Sequence, residues 1–251
     1  MQQIFASFLN MRFVGGFVVR MSRDVFTKQE ELTYLSSYIS KQIKKKFGKG
    51  PEACYTSISD QYVVINIKKF MTQIESELIR KDEHLIAQTI RSTIMKDLLS
   101  PLIDTLQEMF GKLIATIYQD WNFHNNTGIL IGIFQEKQQF KNDGDHIEFQ
   151  ILKDEFMKQS ETSIFRPENI SVDKINIDTV VIKCSDLLMP IEKMMIDKGY
   201  VHILQEREQI IRNRFRSNKS RFERILSKDL EDIYLIWDYE NNNSYTIFSG
   251  K

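Results

Sequence analysis

The chain says the same thing twice. Gln61 to Ile79 reads QYVVINIKKFMTQIESELI and Thr179 to Ile196 reads TVVIKCSDLLMPIEKMMI. Val63 and Val180 stand 117 positions apart, and so do Ile74 and Ile191. Upstream, Pro51-Glu52 is echoed by Pro167-Glu168. Downstream, Asp120-Trp121 and Asn125-Asn126-Thr127 are echoed by Asp238-Tyr239 and Asn242-Asn243-Ser244. Matches that keep one order and nearly one offset across a whole unit point to a tandem duplication. Whatever one unit folds into, the chain must accommodate two of them.

The first unit can be read element by element. Thr27-Lys28-Gln29-Glu30 has the spacing of a capping box, in which a hydroxyl and a carboxylate satisfy free amides at a helix start. Leu32, Leu35, Ile39, Ile43 and Phe47 then recur on one helical face. Gly48 and Pro51 stop that helix. Ala53–Ser57 and Tyr62–Ile67 read as strands around a Ser59-Asp60 turn. Thr72-Gln73-Ile74-Glu75 is a second capping box, and in the second unit Pro190 takes the first-turn position. A long helical stretch runs from about Glu83 to Phe110, with Ser100-Pro101 as a kink or break and Gly111 at its end. Leu113–Tyr118 and Ile129–Phe134 read as two more strands. The unit is therefore α-ββ-α-ββ, and the fold class is α+β: tandem units, each an antiparallel sheet with helices packed on one face. The boundaries expected are an apolar amino-terminal extension over 1–26, a first domain over 27–134, a polar linker over 135–146 and a second, divergent domain over 147–251. The second domain opens on a shorter helix near Phe149–Gln159.

Composition narrows the partners. Lysine and arginine total 34 against 34 aspartate and glutamate, which excludes binding nucleic acid through a strong overall field. Cys54 and Cys184 are too few for a disulfide framework or a four-thiolate metal site, and suit a reducing compartment. His84, His124, His146 and His202 show no ligand spacing, so neither metal nor cofactor is expected. Ile4 to Val19 is apolar but carries Asn10, Arg12 and Gly15-Gly16. It reads as a loose extension ahead of Met21, as a segment packing on a membrane surface, or as a cleaved or spanning piece.

Several residues carry candidate chemistry, each beside a plainer reading. Gly48-Lys49-Gly50-Pro51 exposes backbone amides next to a cation and suits a small anion, without Walker spacing. The plainer and favoured reading is a helix cap turning into a strand. Lys41, Lys44, Lys45 and Lys46 join Lys49 in one basic cluster. Arg212, Arg214, Arg216, Lys219, Arg221 and Arg224 form another, interleaved with Phe215 and Phe222. Read as one basic helix over 212–224, it offers Arg212, Arg216 and Arg221 as candidates for RNA or anionic lipid. The spacing of Ile211, Phe215, Phe222 and Ile225 instead makes the aromatics core and the arginines a solvated face. Asp120 and Asp238 end corresponding strands and suit a cation or acid–base work, or simply cap turns. Cys184 reads as packed rather than nucleophilic. No catalytic set is recognisable, so an enzyme is the least favoured class. Divergence around Arg166 and Met189 places any ligand site in the first copy.

The first unit resembles the MpsC family. The resemblance rests on Phe47-Gly48-Lys49-Gly50-Pro51 after an amphipathic helix, the strand Val63–Ile67, and Thr72 with Glu75 as T-x-x-E. Gly111 closing the long helix and Asp120 at the next strand complete it. It covers roughly Lys28 to Phe134. The family usually places a small residue near Lys69, and none stands there. In the second copy, Ser163–Pro167 replaces the Gly-Lys-Gly-Pro run and Met189 replaces the threonine. The resemblance implies an accessory or regulatory subunit beside a sodium-translocating or inorganic-carbon-handling membrane assembly, with membrane ion-transport subunits as partners. The implied location is cytoplasmic, or peripheral at the inner face of the membrane. The duplication adds an expected internal pseudo-dimer of the two repeats.

Overall fold

The structure is a computed structural model that describes residues 11–14, 17–20, 27–135, 147–161, 167 and 169–251. Strands β1 (Met11–Val14) and β2 (Phe17–Arg20) pair as an antiparallel hairpin within the apolar extension. Apart from Gln135, the expected linker lies outside the described residues, as do Arg166 and His146.

The first repeat contains α1 (Lys28–Phe47), β3 (Ala53–Ile58), β4 (Tyr62–Lys68), α2 (Gln73–Arg80), α3 (His84–Phe110), β5 (Ile114–Asn122) and β6 (Thr127–Phe134). The second contains α4 (Ile147–Glu161), β7 (Asn169–Lys174), β8 (Thr179–Ser185), α5 (Pro190–Asp197), α6 (Val201–Ser217), α7 (Lys219–Ile225), β9 (Leu230–Asp238) and β10 (Asn243–Gly250). The fold class is α+β. Each repeat builds a four-stranded antiparallel sheet, in the orders β3-β4-β6-β5 and β7-β8-β10-β9. Two successive hairpins nest so that their second strands become neighbours, which leaves β5 and β9 as edges.

Local chemistry explains the elements. Both capping boxes form: Glu30 N donates to Thr27 Oγ1 while Thr27 N donates to Glu30 Oε2, and Thr72 and Glu75 repeat the exchange. Gly48 and Gly111 close their helices in the left-handed region, at φ 75° and 63°. The strand ends also repeat. Lys69 and Asp186 take φ 53° and 58°, and their amides donate to Asn126 and Asn242, which themselves sit at φ 53° and 54°. Lysine thus occupies a left-handed turn, a conformation that strains any residue with a Cβ.

Two expectations need correction. Pro101 does not break α3, which runs on from His84 to Phe110 with the proline inside it. The proline is exposed, so water reaches the carbonyl it leaves without a donor, and the buried series Met95, Leu98, Leu102, Leu106 continues past it. The second repeat has no proline there, yet it breaks. Asn218 closes α6 by donating its amide and its Nδ2 to the Arg214 carbonyl, and α7 starts afresh. The basic stretch is therefore two helices rather than one.

Burial follows strand alternation. Val63, Ile65 and Ile67 face one cluster with Leu35, Ile39, Ile43, Met95, Leu98 and Leu102 of α1 and α3. Val180, Ile182 and Cys184 face another with Leu152, Phe156, Ile211, Phe215 and Phe222 of α4, α6 and α7. The opposite faces meet each other. Tyr62, Val64, Ile129 and Ile131 pack on Val181, Tyr234, Ile236, Tyr245 and Ile247 in a third cluster shared by both repeats. The layers run helix, sheet, sheet, helix. Strands buried on both faces explain the near-continuous apolar runs of β4, β6 and β8.

Candidate functional site

Each repeat holds a buried glutamate–arginine pair under a tryptophan. In the first, Glu75 near the start of α2 receives Arg91 of α3, with Nε at 2.7 Å from Oε1 and Nη2 on Oε2, while Nη2 also donates to the Phe70 carbonyl at 2.9 Å. The guanidinium lies 4.5 Å from the Trp121 ring centroid and 4.6 Å from those of Phe70 and Phe123. Both charged side chains are buried, a situation tolerated only when the charges are paired and hydrogen-bonded. Burial pushes the Glu75 carboxyl up, but Arg91 and the Thr72 amide and hydroxyl outweigh it and hold it below the usual range.

The second repeat reproduces the arrangement with Glu192, Arg207 and Trp237. Arg207 bonds Glu192 and lies 4.9 Å from the Trp237 centroid. The pairing is less complete: Arg207 Nε and Nη2 are buried without a hydrogen-bond partner, and burial lowers its pKa. Met189 keeps half of the capping box, its amide donating to Glu192 Oε2 at 2.9 Å. Arg91 and Arg207 are residues that the sequence reading missed. Their signal was available, because they stand 116 positions apart, as do Trp121 and Trp237.

A second constellation lies where β5 meets β9. Asp120 is inside β5, not at its end, and its Oδ2 crosses to the second repeat. There it accepts the Leu235 amide at 3.0 Å and faces Arg212 Nε at 3.2 Å and Arg216 Nη2 at 3.8 Å. Arg212 Nη2 donates to the Leu235 carbonyl at 3.0 Å, and Arg216 Nε donates to the Ile233 carbonyl at 3.0 Å and to Asp232 Oδ1 at 3.1 Å. Asp232 in turn accepts Thr127 Oγ1 at 2.8 Å and Asn125 Nδ2 at 3.3 Å from the first repeat. The free edge of β9 is thereby satisfied by side chains instead of by another strand.

This geometry re-sorts the candidates. Arg212 and Arg216 turn inward to carboxylates, against the expected solvated face; Arg221 and Arg224 are exposed, with Arg221 3.5 Å from Glu155. Asp120 and Asp238 are not counterparts. The turn-capping residue of the first repeat is Asn122, whose Oδ1 accepts the amides of His124 and Asn125, and Asp238 does this for Asn241. Asp238 also holds the Tyr118 hydroxyl, pushing its pKa up together with burial. Gly48, Gly50 and Pro51 form the cap and turn, and Lys49 Nζ donates to the Met71 carbonyl at 2.8 Å. Lys41, Lys44 and Lys45 are exposed, and Lys46 pairs with Asp97 at 3.4 Å. Burial pushes the Cys54 and Cys184 thiols up to about 12, far from the thiolate form. The divergent polar groups stand in the second copy, not the first: Glu208, Arg212, Arg216 and Asp232 replace Ser92, Lys96, Ser100 and Thr116 at the 116-residue spacing. Among the described residues no group of three or more His, Cys, Asp or Glu is placed to hold a metal ion. Among them, too, no helix is long and apolar enough to cross a membrane.

Comparison with known families places these features. Residues 27–136 match the MpsC family, described as a Na+-translocating membrane potential-generating system. Curated proteins and solved structures yield no match. The match spans the Thr27 cap, the Gly48–Pro51 turn, the Glu75–Arg91 pair and the strand bearing Asp120, so it is the first repeat, over its whole length, that matches the MpsC family.

Proposed function

We propose that this protein is a non-enzymatic accessory or regulatory component of a membrane assembly that handles cations or inorganic carbon. It acts from the cytoplasm or the inner face of the membrane, with its two repeats as an internal pseudo-dimer. The observation that carries the reading is the match of residues 27–136 to a family described by sodium translocation. The geometry supports it in one respect. The buried charged groups best placed for chemistry are engaged with one another, Glu75 with Arg91 and Asp120 with Arg212, which suits a scaffold more than a catalyst. Fusion of two copies keeps them at high effective concentration, as a permanent pair requires.

The alternatives draw less support from the same geometry. An RNA-binding module over 212–224 would need Arg212 and Arg216 facing outward, and both hold carboxylates. An anion sensor at 48–51 would need Lys49 free, and its ammonium is on a backbone carbonyl.

Crosslinking in native cells, followed by capture through a carboxyl-terminal tag, tests the reading. Recovery of integral membrane transport subunits is the expected result. RNA without membrane proteins overturns it in favour of the basic helices, and recovery of neither leaves a small-ligand role to be sought by thermal-shift screening.

A further inference from the structure

We propose that Glu208 is a proton switch in the seam between the repeats: protonated, it leaves Arg212 to Asp120, and ionised, it competes with Asp120 for that guanidinium. Around the seam, Glu192, Glu208, Asp120 and Asp232 face Arg207, Arg212 and Arg216, so four carboxylates share three guanidiniums. Asp238, bonded to Asn241 and to the Tyr118 hydroxyl, adds a further negative charge nearby. A buried excess of negative charge is relieved by binding a proton.

Geometry selects which carboxyl carries it. Asp120 accepts two backbone amides, from Trp121 at 2.8 Å and Leu235 at 3.0 Å, besides facing two guanidiniums. Asp232 accepts the Ile233 amide at 2.9 Å, Thr127 and Arg216. Glu192 has Arg207 and the Met189 amide. Glu208 has the poorest set. Its Oε1 accepts the Tyr239 hydroxyl, while its Oε2 is 3.7 Å from Arg212 Nη2, beyond hydrogen-bond distance. Arg212 is held away from it, with Nη1 donating to Gln209 at 2.6 Å, Nη2 donating to the Leu235 carbonyl, and Nε 3.2 Å from Asp120 as an ion pair without hydrogen-bond geometry. The groups facing Glu208 are thus Arg207 and Arg212 from its own helix, Asp120 from β5, and Tyr239 after β9. Burial pushes the Glu208 carboxyl up to about 7, with Asp120 adding to the rise and Tyr239, Arg212 and Arg207 opposing it.

The linkage has a definite sign. Because the folded carboxyl binds its proton more tightly than the unfolded one, its contribution to stability is complete below the ordinary glutamate range and is lost as pH rises through about 7. The Leu235 amide, held by Asp120, reports the seam directly.

The full-length protein and its Glu208→Gln variant would be followed from pH 5 to 9 by thermal unfolding and by amide hydrogen exchange at Leu235. The wild type is expected to lose thermal stability between pH 5 and 8. Once the intrinsic base catalysis of exchange is removed, Leu235 opening should rise by about tenfold, the factor that one pH unit of linkage carries. The Gln variant should lack the Glu208 component, so the difference between the two proteins removes the background from the histidines. Equal slopes in both proteins would overturn the proposal. Should the variant fail to fold, the carboxyl carbon shift of Glu208 in the labelled wild type, assigned by its loss in Glu208→Asp, decides the matter. A midpoint near neutrality supports the switch, and one in the ordinary carboxylate range ends it.

Discussion

The Asp120 carboxylate of the first repeat accepts the Leu235 amide of the second at 3.0 Å, on the edge of β9 that no strand covers. Aspartate there does the work of a neighbouring strand for one amide and holds Arg212 as well. Asp120→Ala should therefore remove a backbone acceptor and take from Arg212 the carboxylate that its Nε faces at 3.2 Å. The expected loss is about 3–5 kcal/mol, as for other broken buried pairs. Asp120→Asn, which keeps an oxygen for Leu235, should lose less. Urea denaturation of the three proteins measures the order, and an alanine variant within experimental error of wild type would show that the seam does not depend on this contact.

Glu75 sets the acid limit of the first repeat. Its folded pKa lies below its ordinary value, so the stability it confers is present above the ordinary glutamate range and drains away as pH falls through the folded value. Glu75→Gln should cost about 3–5 kcal/mol at neutral pH, because Arg91 is left without its counter-charge among three aromatic rings. As pH falls below the ordinary glutamate range the two proteins should draw together. Denaturant midpoints taken from pH 3 to 7 would reveal parallel curves if the pair were unimportant.

Gly128 has a steric reason to be glycine. A Cβ there would stand 2.0 Å from Trp121 Cε3, on the strand directly opposite. Since Trp121 also covers Arg91, Gly128→Ala should displace the indole, alter near-ultraviolet circular dichroism and destabilise by about 1–3 kcal/mol. In the second repeat Ser244 already faces Trp237, so Ser244→Ala should be nearly silent there. Comparable spectra for the two alanine variants would contradict this account.

The half-made capping box of the second repeat invites repair. Met189→Thr supplies the hydroxyl that accepts the Glu192 amide in the manner of Thr72 with Glu75. It should raise stability by about 0.5–1 kcal/mol, and Thr72→Ala should lower it by about 1 kcal/mol. Thermal midpoints of the pair should move in opposite directions.

Much of each repeat was legible because its signals are local. A capping box joins residues three apart, a glycine cap follows from the φ of one residue, and the buried face of a strand or helix follows from its period. The duplication was equally plain, since it needs only the chain compared with itself. Pro101 and Asn218 mark where local rules misled. A proline on the exposed side of α3 left the helix running, and an asparagine folded back on Arg214 ended α6 without one.

What the sequence by itself determined about this protein is the repeated α+β unit, its caps, the apolar face of each element and its resemblance to the MpsC family. What only the tertiary structure decided is the fate of the charges. Arg212 and Arg216 look in sequence like any basic helix face, and Asp120 like any residue before a turn. Their partners lie far along the chain: Asp120 is 115 positions from Leu235. Packing the two sheets face to face brings β5 beside β9 and excludes water between them, and a desolvated charge must then find an opposite charge or a hydrogen-bond donor. That requirement acts only once both repeats are folded and joined, so no short stretch of either one encodes it.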